Sequence, residues 1–342
     1  MKHNLFFGDL IGEIIENSRG IEKNIAFSDG EDIRTIQALD YFKDVNASRF
    51  LLVGNEQKIL SHIKEVGISL NDRIEILDPR TSAKRDEYKQ IISKSFENRG
   101  KSITGPQVDE LAEDTSYYVS TMLKNNDADC AIGGSLSSTR ALVKSVIHVL
   151  GLSQGKNFLS AAAFVDIPDC QFGHRGKFCL ADPAIIPQPT EEQLYDITMS
   201  AYETAEVVLG VEPRVALLSY STMGSAKGED IDRIQNVVKR IRESYPDWII
   251  DGELQFDAAI VPEVAMQKCP TSPLKGGANT LIFPNLDSAN ICYKAIQRLA
   301  KATVCGSLIL GTAKPFNDLS RGCPYQDIIS LTAMTLMQTK EL

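Results

Sequence analysis

NIAFSDGEDIRTIQALDYF (Asn24–Phe42) sets out one complete strand-to-helix unit. NIAFSDG (Asn24–Gly30) is a short apolar run that ends in turn residues, as a strand does. EDIRTIQALDYF carries helical spacing through Ile33, Ile36 and Leu39, and it opens on acids that suit a helix N-terminus. The pattern then repeats. RFLLVGN (Arg49–Asn55) reads as the next strand, EQKILSHIKEVG as the next helix and RIEILDP (Arg73–Pro79) as a third strand. ADCAIGG (Ala128–Gly134) is a fourth strand, followed by STRALVKSVIHVLG as helix. Such alternation calls for a largely parallel sheet covered by helices on both faces.

The middle of the chain continues the theme. FLSAAAFVD (Phe158–Asp166) and KFCLADPAI (Lys177–Ile185) read as adjacent strands. TEEQLYDITMSAYETAEVVLG opens with Thr190 as an N-cap and keeps helical spacing to Gly210. RVALLSYS, ANTLIFPN and SLILGT supply further buried strands, with DIDRIQNVVKRIRESYP and NICYKAIQRLAK as helices. At 342 residues the chain is long for one core and suits two domains of roughly 150–190 residues. The expected architecture is α/β in two lobes, with the ligand cleft between them.

Composition excludes several classes. Hydrophobic residues make up 43% and charged residues 24%, as in an ordinary globular protein. No apolar run approaches the roughly 20 residues needed to cross a bilayer, and the N-terminal MKHNLFFGDLIGEII reads as an amphipathic helix. The seven cysteines lack CxxC spacing and suit a reducing cytoplasm. The four histidines, His3, His62, His148 and His174, are scattered, so no transition-metal site is expected. A net charge of −9 argues against bulk nucleic-acid binding, so anionic substrates would need cations gathered locally.

Four stretches could carry chemistry. The first is NDLSRGCPYQD (Asn317–Asp327), where a glycine-containing turn with Ser320 and Arg321 feeds a helix that begins at Pro324 with Cys323 as cap. Free N–H donors and a planar guanidinium suit phosphate. Asp327, in the first turn, could accept a proton nearby, although an acid there also serves simply to balance the helix dipole. The second is SYSTMGSAKG (Ser219–Gly228), with Ser221, Thr222 and Gly224 at a strand's C-terminal edge, where open α/β sheets bind ligands. GGSLSSTR (Gly133–Arg140) is the third, also between strand and helix. Neither loop matches a P-loop or a dinucleotide fingerprint. The fourth, DGELQFDAAIVPEVA (Asp251–Ala265), holds four acids. Its helical spacing through Phe256, Ile260 and Val264 favours a packing element with solvated acids over a cation site.

The blocks SDGEDIRT, VALLSYSTMGSA, IDGELQFDAAIVPEVA, FPNLDSANICYKAIQRL and KPFNDLSRG occur in one order over nearly the whole chain. In these the sequence resembles the phosphate acetyltransferases (phosphotransacetylases). The resemblance implies two three-layer α/β/α domains like those of the isocitrate and isopropylmalate dehydrogenases. The first would span 1–150 plus 305–342, and the second, 151–304, would be inserted in it. It implies reversible transfer of acetyl between acetyl phosphate and coenzyme A, in the cytoplasm, by a homodimer with coenzyme A as a substrate and no tightly bound cofactor. Asp327 matches the aspartate proposed in that family as thiol base, and Ser320 and Arg321 match the pair that stabilises the transition state and grips phosphate. Arg99, in NRGKSIT, matches an arginine associated with coenzyme A. Ser137, Ser221, Thr222, Gly224, Lys294 and Asn317 complete the candidate substrate-binding set. A thiol with a pKa near about 8.5 is only slightly ionised at neutral pH, so a positioned base contributes roughly 10²–10⁴-fold. Acetyl phosphate is already activated, so its chemistry calls for no metal, and direct attack in a ternary complex is favoured over an acetyl intermediate on Cys323.

The departures from the family pattern are specific. Leu136 stands where the family has histidine, and the expected arginine falls at Val143 or Lys144, leaving Lys144 or Arg140 as the replacement cation. Thr222-Met223-Gly224 loses a lysine, and Gly306–Gly311 loses a glutamine. The rival readings are a phosphate acyltransferase for propionyl or butyryl groups, an isocitrate-type dehydrogenase, and a coenzyme A-binding homologue without turnover.

Overall fold

The computed structural model describes residues 9–42 and 48–341. The N-terminal amphipathic pattern forms a helix at Asp9–Ser18; the part of that reading on residues 1–8 lies outside the described residues. In chain order the strands are β1 (Asn24–Phe27), β2 (Arg49–Val53), β3 (Ile74–Leu77), β4 (Cys130–Gly133), β5 (Ser160–Asp166), β6 (Lys177–Ala181), β7 (Arg214–Leu218), β8 (Ile249–Leu254), β9 (Thr280–Ile282), β10 (Thr303–Leu310) and β11 (Phe316–Asp318). They fall into two units. One comprises Gly12–Gln154 and the returning stretch from Thr312, and the other comprises Gly155–Gly311 with residues 9–11.

The first unit carries a parallel sheet in the order β3-β2-β1-β4-β11. Ile25, Leu52, Cys130 and Phe316 are fully buried, because strands covered on both faces read as continuous apolar runs. The helix Ile33–Phe42 follows β1, and the C-terminal helix Tyr325–Gln338 packs on it and on β4. That C-terminal helix is buried from Ile328 to Met337. Its Ser330, Thr332 and Thr335 hydroxyls are accommodated by donating to the carbonyls of Gln326, Ile328 and Leu331, one turn back.

In the second unit the order is β10-β5-β6-β9-β7-β8. The β6-β9-β7-β8 part is parallel, whereas β5 pairs antiparallel with both β10 and β6. Thr190 caps the helix Glu191–Leu209 through a reciprocal bond set with Gln193, and Gly210 ends it in the left-handed region at φ 65°.

Several elements differ from the sequence reading. The helices Arg85–Glu97, Gly105–Glu113 and Thr115–Lys124 and the short β11 are additional. STRALVKSVIHVLG divides into a short α-helix, Thr139–Ser145, and a π-helical turn, Val146–Leu150. At the C-terminal helix Pro324 is the cap rather than the first helical residue, with extended backbone at φ −73° and ψ 163°.

Candidate active site

In the first unit β1 is flanked by β2 on one side and β4 on the other. The C-terminal ends of β1 and β4 therefore border a topological switch point, the place where open α/β sheets leave a crevice between diverging loops. Three loops meet there: residues 28–32 after β1, 134–138 after β4 and 319–324 after β11.

Arg34 holds the three together. Its Nε and one Nη clasp the Asp32 carboxylate at 3.0 and 2.6 Å, and the same Nη donates to the Ser135 carbonyl at 3.0 Å. The other Nη donates to the carbonyls of Arg321 at 3.0 Å and Cys323 at 2.7 Å. All five guanidinium N–H groups are thus engaged. The turn is tightened from within by Cys323 N–H to Ser320 O at 3.0 Å, and Leu319 N–H donates to Gly133 O at 2.7 Å, extending the β4–β11 ladder by one residue. Asp32, buried beside its partner, has its carboxyl lowered. Burial opposes this, but the bonds from Arg34 and Ser135 outweigh it.

Sequence reading did not assign a role to Arg34. Its signal is an Asp-x-Arg spacing at the C-terminal edge of a strand, which by itself looks like a helix start. Arg34→Met leaves Asp32 as an unpaired buried carboxylate, so a stability loss of about 3 kcal/mol is expected. Adding Asp32→Leu should recover most of that loss in thermal unfolding while turnover stays low, because the 319–324 turn is still untethered. Full recovery of both would show that Arg34 serves stability alone.

The residues predicted at the C-terminal turn come together on this scaffold. Ser320, Arg321 and Asp327 are exposed on consecutive turns of chain, and the Arg321 and Asp327 side chains have no hydrogen-bond or ion-pair partner among the described residues. Partial desolvation by the surrounding chain raises the Asp327 carboxyl above its usual value. Cys323 is buried, and burial pushes its thiol up in spite of the Arg34 charge beside it. Ser137, in the β4 loop, has a buried hydroxyl without a partner, as does Ser28 at the end of β1. Buried hydroxyls are rarely left unpaired. Both lie just beyond the C-terminal ends of the strands that border the switch point.

Arg99 lies just beyond the helix Arg85–Glu97, in a cationic patch with Lys101 and Lys144. The charges of these three act on the half-buried His148, whose ring nitrogen lies 2.7 Å from the Tyr117 hydroxyl. Burial and then the charges of Lys101, Lys144 and Arg99 lower its pKa. Of the two candidate cations, Lys144 is the one whose charge reaches His148 together with that of Arg99. The helix Thr139–Ser145 spans the interval from the switch point to this patch, about 7.5 Å between Thr139 and Lys144 at 1.5 Å per residue.

Other candidates are engaged in structure. Asn317 is fully buried, and its amide donates to Thr335 Oγ1 at 2.9 Å and Gln338 Oε1 at 2.7 Å, tying β11 to the C-terminal helix. In the second unit the Ser221 hydroxyl donates to Glu253 at 2.8 Å, and Gly224 N–H donates to the same oxygen at 2.7 Å. Thr222 Oγ1 accepts from Gln255 N–H at 3.0 Å. Burial raises the Glu253 carboxyl, but Gly224 N–H, the Gln235 amide and the Ser221 hydroxyl outweigh it and leave its pKa lowered. Lys294 is exposed on the helix Leu286–Leu299, 5.0 Å from the Tyr293 ring centre.

The acid-rich stretch also needs correction. Asp257 and Glu263 are solvated as expected, but Asp251 and Glu253 lie buried on β8, where Arg242 reaches Asp251 at 2.8 Å. That half of the stretch is a strand buried on both faces, Ile250 and Leu254 included, so its acids are enclosed rather than solvated. A separate cavity of about 510 Å³ in the first unit, near Arg49, Glu75 and Tyr88, contains none of the predicted residues. Polar groups around it pair with each other, as in Arg49–Glu75 at 3.0 Å and Tyr88–Asp127 at 2.6 Å.

Loops at a parallel-sheet switch point, a free guanidinium and a desolvated carboxylate define a group-transfer site for anionic substrates. Comparison with known proteins narrows the class. Residues 9–336 match the family model described as phosphate acetyl/butaryl transferase. A phosphate acetyltransferase of Clostridium acetobutylicum is 38% identical over 332 residues, covering 97% of this chain and 99% of that protein. One from Thermoanaerobacterium thermosaccharolyticum is 38% identical over 331 residues, with 97% and 99% covered. Among solved structures, a phosphotransacetylase from Streptococcus pyogenes superposes with a TM-score of 0.91 at 31% identity, covering 99% of this chain and 100% of that one. The chain belongs to the phosphate acetyl/butaryl transferase family, a family of acyltransferases.

Proposed function

We propose that the protein is a phosphate acetyltransferase that interconverts acetyl-CoA and phosphate with coenzyme A and acetyl phosphate. The observation that carries the assignment to this site is an unpartnered Arg321 guanidinium followed six residues later by the partly desolvated Asp327 carboxylate, on a turn that Arg34 fastens and the helix it feeds. Asp327 takes the thiol proton of coenzyme A. The thiolate attacks the acetyl carbonyl of acetyl phosphate, the C–S bond forms, the C–O bond to phosphate breaks, and phosphate leaves. Ser320 and Arg321 stabilise the charge that builds on the carbonyl and phosphate oxygens. Transfer is direct, since a buried thiol held in its neutral form makes Cys323 a poor nucleophile.

The Arg99, Lys101 and Lys144 patch would take the phosphates of coenzyme A and supplies the local positive charge that a chain of net charge −9 needs. Ser137, with its unpartnered hydroxyl, is assigned to phosphate or to the acyl oxygen. A homodimer is supported by the helix Leu286–Leu299, which exposes Ile291 at 68% and Leu299 at 85%.

Thiol release from acetyl-CoA with phosphate tests the reaction. Turnover is expected with acetyl-CoA and should decline along propionyl-CoA and butyryl-CoA. A peak at butyryl-CoA would move the assignment to the longer-chain activity, and no phosphate-dependent release from any of the three would remove it.

A further inference from the structure

Asp318, the last residue of β11, pairs in register with Gly133 and stands two residues before Ser320. One carboxylate oxygen accepts a hydrogen bond from the Thr139 hydroxyl. The other is buried with no partner. It rests against Gly134, whose φ of +93° already favours glycine and where a Cβ would lie 2.1 Å from that oxygen. Across the β4 loop stands Asp29, from the end of β1, which accepts Leu136 N–H at 3.2 Å and the Ser135 hydroxyl at 3.4 Å. The 134–139 loop is thus gripped by one carboxylate from each neighbouring strand. A buried carboxylate oxygen left without a partner is costly, so such a group persists where the fold requires it.

We propose that Asp318 is a positioning residue of the anion site: by holding Thr139 it keeps the β4 loop and the Ser320–Arg321 turn in one arrangement, and the anion is gripped by both. This rests on the reading of Ser320 and Arg321 as the anion's grip. It has a consequence for pH. Burial raises the Asp318 pKa to about 6; the Thr139 bond opposes the rise and the Asp29 charge adds to it. Asp29 is also raised, by burial and by the charge of Asp32, against the N–H groups of Leu136, Ser135 and Gly134. The Thr139 helix carries Arg140 and Lys144, neither of which contributes to the Asp318 shift, and the Gly134 and Leu319 backbone adds no titratable group. Asp32 with Arg34 stands behind Asp29, and Arg321 lies on the turn itself. An anion beside these carboxylates favours the protonated form, so affinity should rise as pH falls through that value.

Sulfate, whose charge is constant over the range, is the probe. Its binding to the intact protein is measured by calorimetry between pH 5.5 and 7.5. The wild-type dissociation constant should weaken by on the order of tenfold across the range as Asp318 ionises. Asp318→Asn keeps an acceptor for Thr139 and loses the charge, so it should bind sulfate with a much smaller step. Thr139→Val should weaken binding about tenfold at every pH, the equivalent of one lost hydrogen bond, and Thr139→Ser should restore it.

An undiminished wild-type step in Asp318→Asn, sulfate binding within twofold of wild type in Thr139→Val, or no measurable binding at all overturns the proposal. Asp318→Asn, being nearly isosteric, decides the matter if Thr139→Val fails to fold. Acetyl-CoA turnover with a negative sulfate result removes only the role of Asp318. The expected sulfate result without turnover removes the acetyl-transfer reading and leaves this one standing.

Discussion

Arg321→Ala is expected to lower kcat/KM by roughly 10²–10³, because a planar fork aimed at a departing phosphate is replaced by water. The side chain has no ion-pair or hydrogen-bond partner among the described residues, so the fold loses nothing with it. Thermal unfolding of the variant should match the wild type within about 1 °C, since exposed substitutions are usually near neutral. Arg321→Lys keeps the charge but not the two parallel donors, and should remain about tenfold below wild type. Steady-state kinetics in both directions provides the check. A fall in stability together with rate would recast Arg321 as a structural residue, and an unchanged rate would remove it from the chemistry.

Asp327→Asn is expected to reduce kcat by 10²–10⁴-fold while the KM for coenzyme A changes little, since the residue accepts a proton without gripping the substrate. Its pH dependence has a definite sign. The base must be ionised, so the wild-type rate falls as pH drops through the Asp327 pKa. Desolvation has raised that pKa above the ordinary carboxylate value, so the loss should begin at a higher pH than a fully hydrated aspartate would give. The acid limb should vanish in Asp327→Asn. Keeping the pH of assay high should also narrow the gap between variant and wild type, because more of the thiol is already ionised. A variant with the same acid limb as wild type would place the base elsewhere.

Much of the first unit was legible in the chain. NIAFSDG, RFLLVGN, RIEILDP and ADCAIGG became β1 to β4: the inner strands read as near-continuous apolar runs because both faces are covered, while the edge strand β3 leaves Glu75 in solvent. β11 was not, because three residues of PFND carry no period, and the strand exists only because β4 offers it an open edge. The helices between Arg85 and Lys124 were overlooked for a different reason. Their apolar positions are sparse, and Tyr88 and Tyr118 bury their rings while keeping polar ends bonded to Asp127 and Ser82. Buried tyrosines of that kind weaken an apolar stripe without preventing burial.

For the site, a turn of serine, arginine and glycine before a helix was enough to single out Ser320, Arg321 and Asp327. Nothing local revealed Arg34, Thr139 or Asp318, whose partners stand between 101 and 289 positions away along the chain. The apparent exception is Asp32, two residues from Arg34. The hydroxyls of Ser221 and Thr222 were read as facing a ligand. They also bond within their own unit, Ser221 to the buried Glu253 of β8 and Thr222 with Gln255.

The order of synthesis makes β11 significant in another way. Every strand of the second unit leaves the ribosome before the strand that completes the first. Until Phe316–Asp318 emerges, one margin of β4 is unsatisfied, and the apolar helix that should cover it does not yet exist. Nascent chains arrested just short of Phe316 should therefore be targets for chaperones that recognise bare strand edges. They should also be catalytically silent, since Ser320, Arg321 and Asp327 are translated after that point.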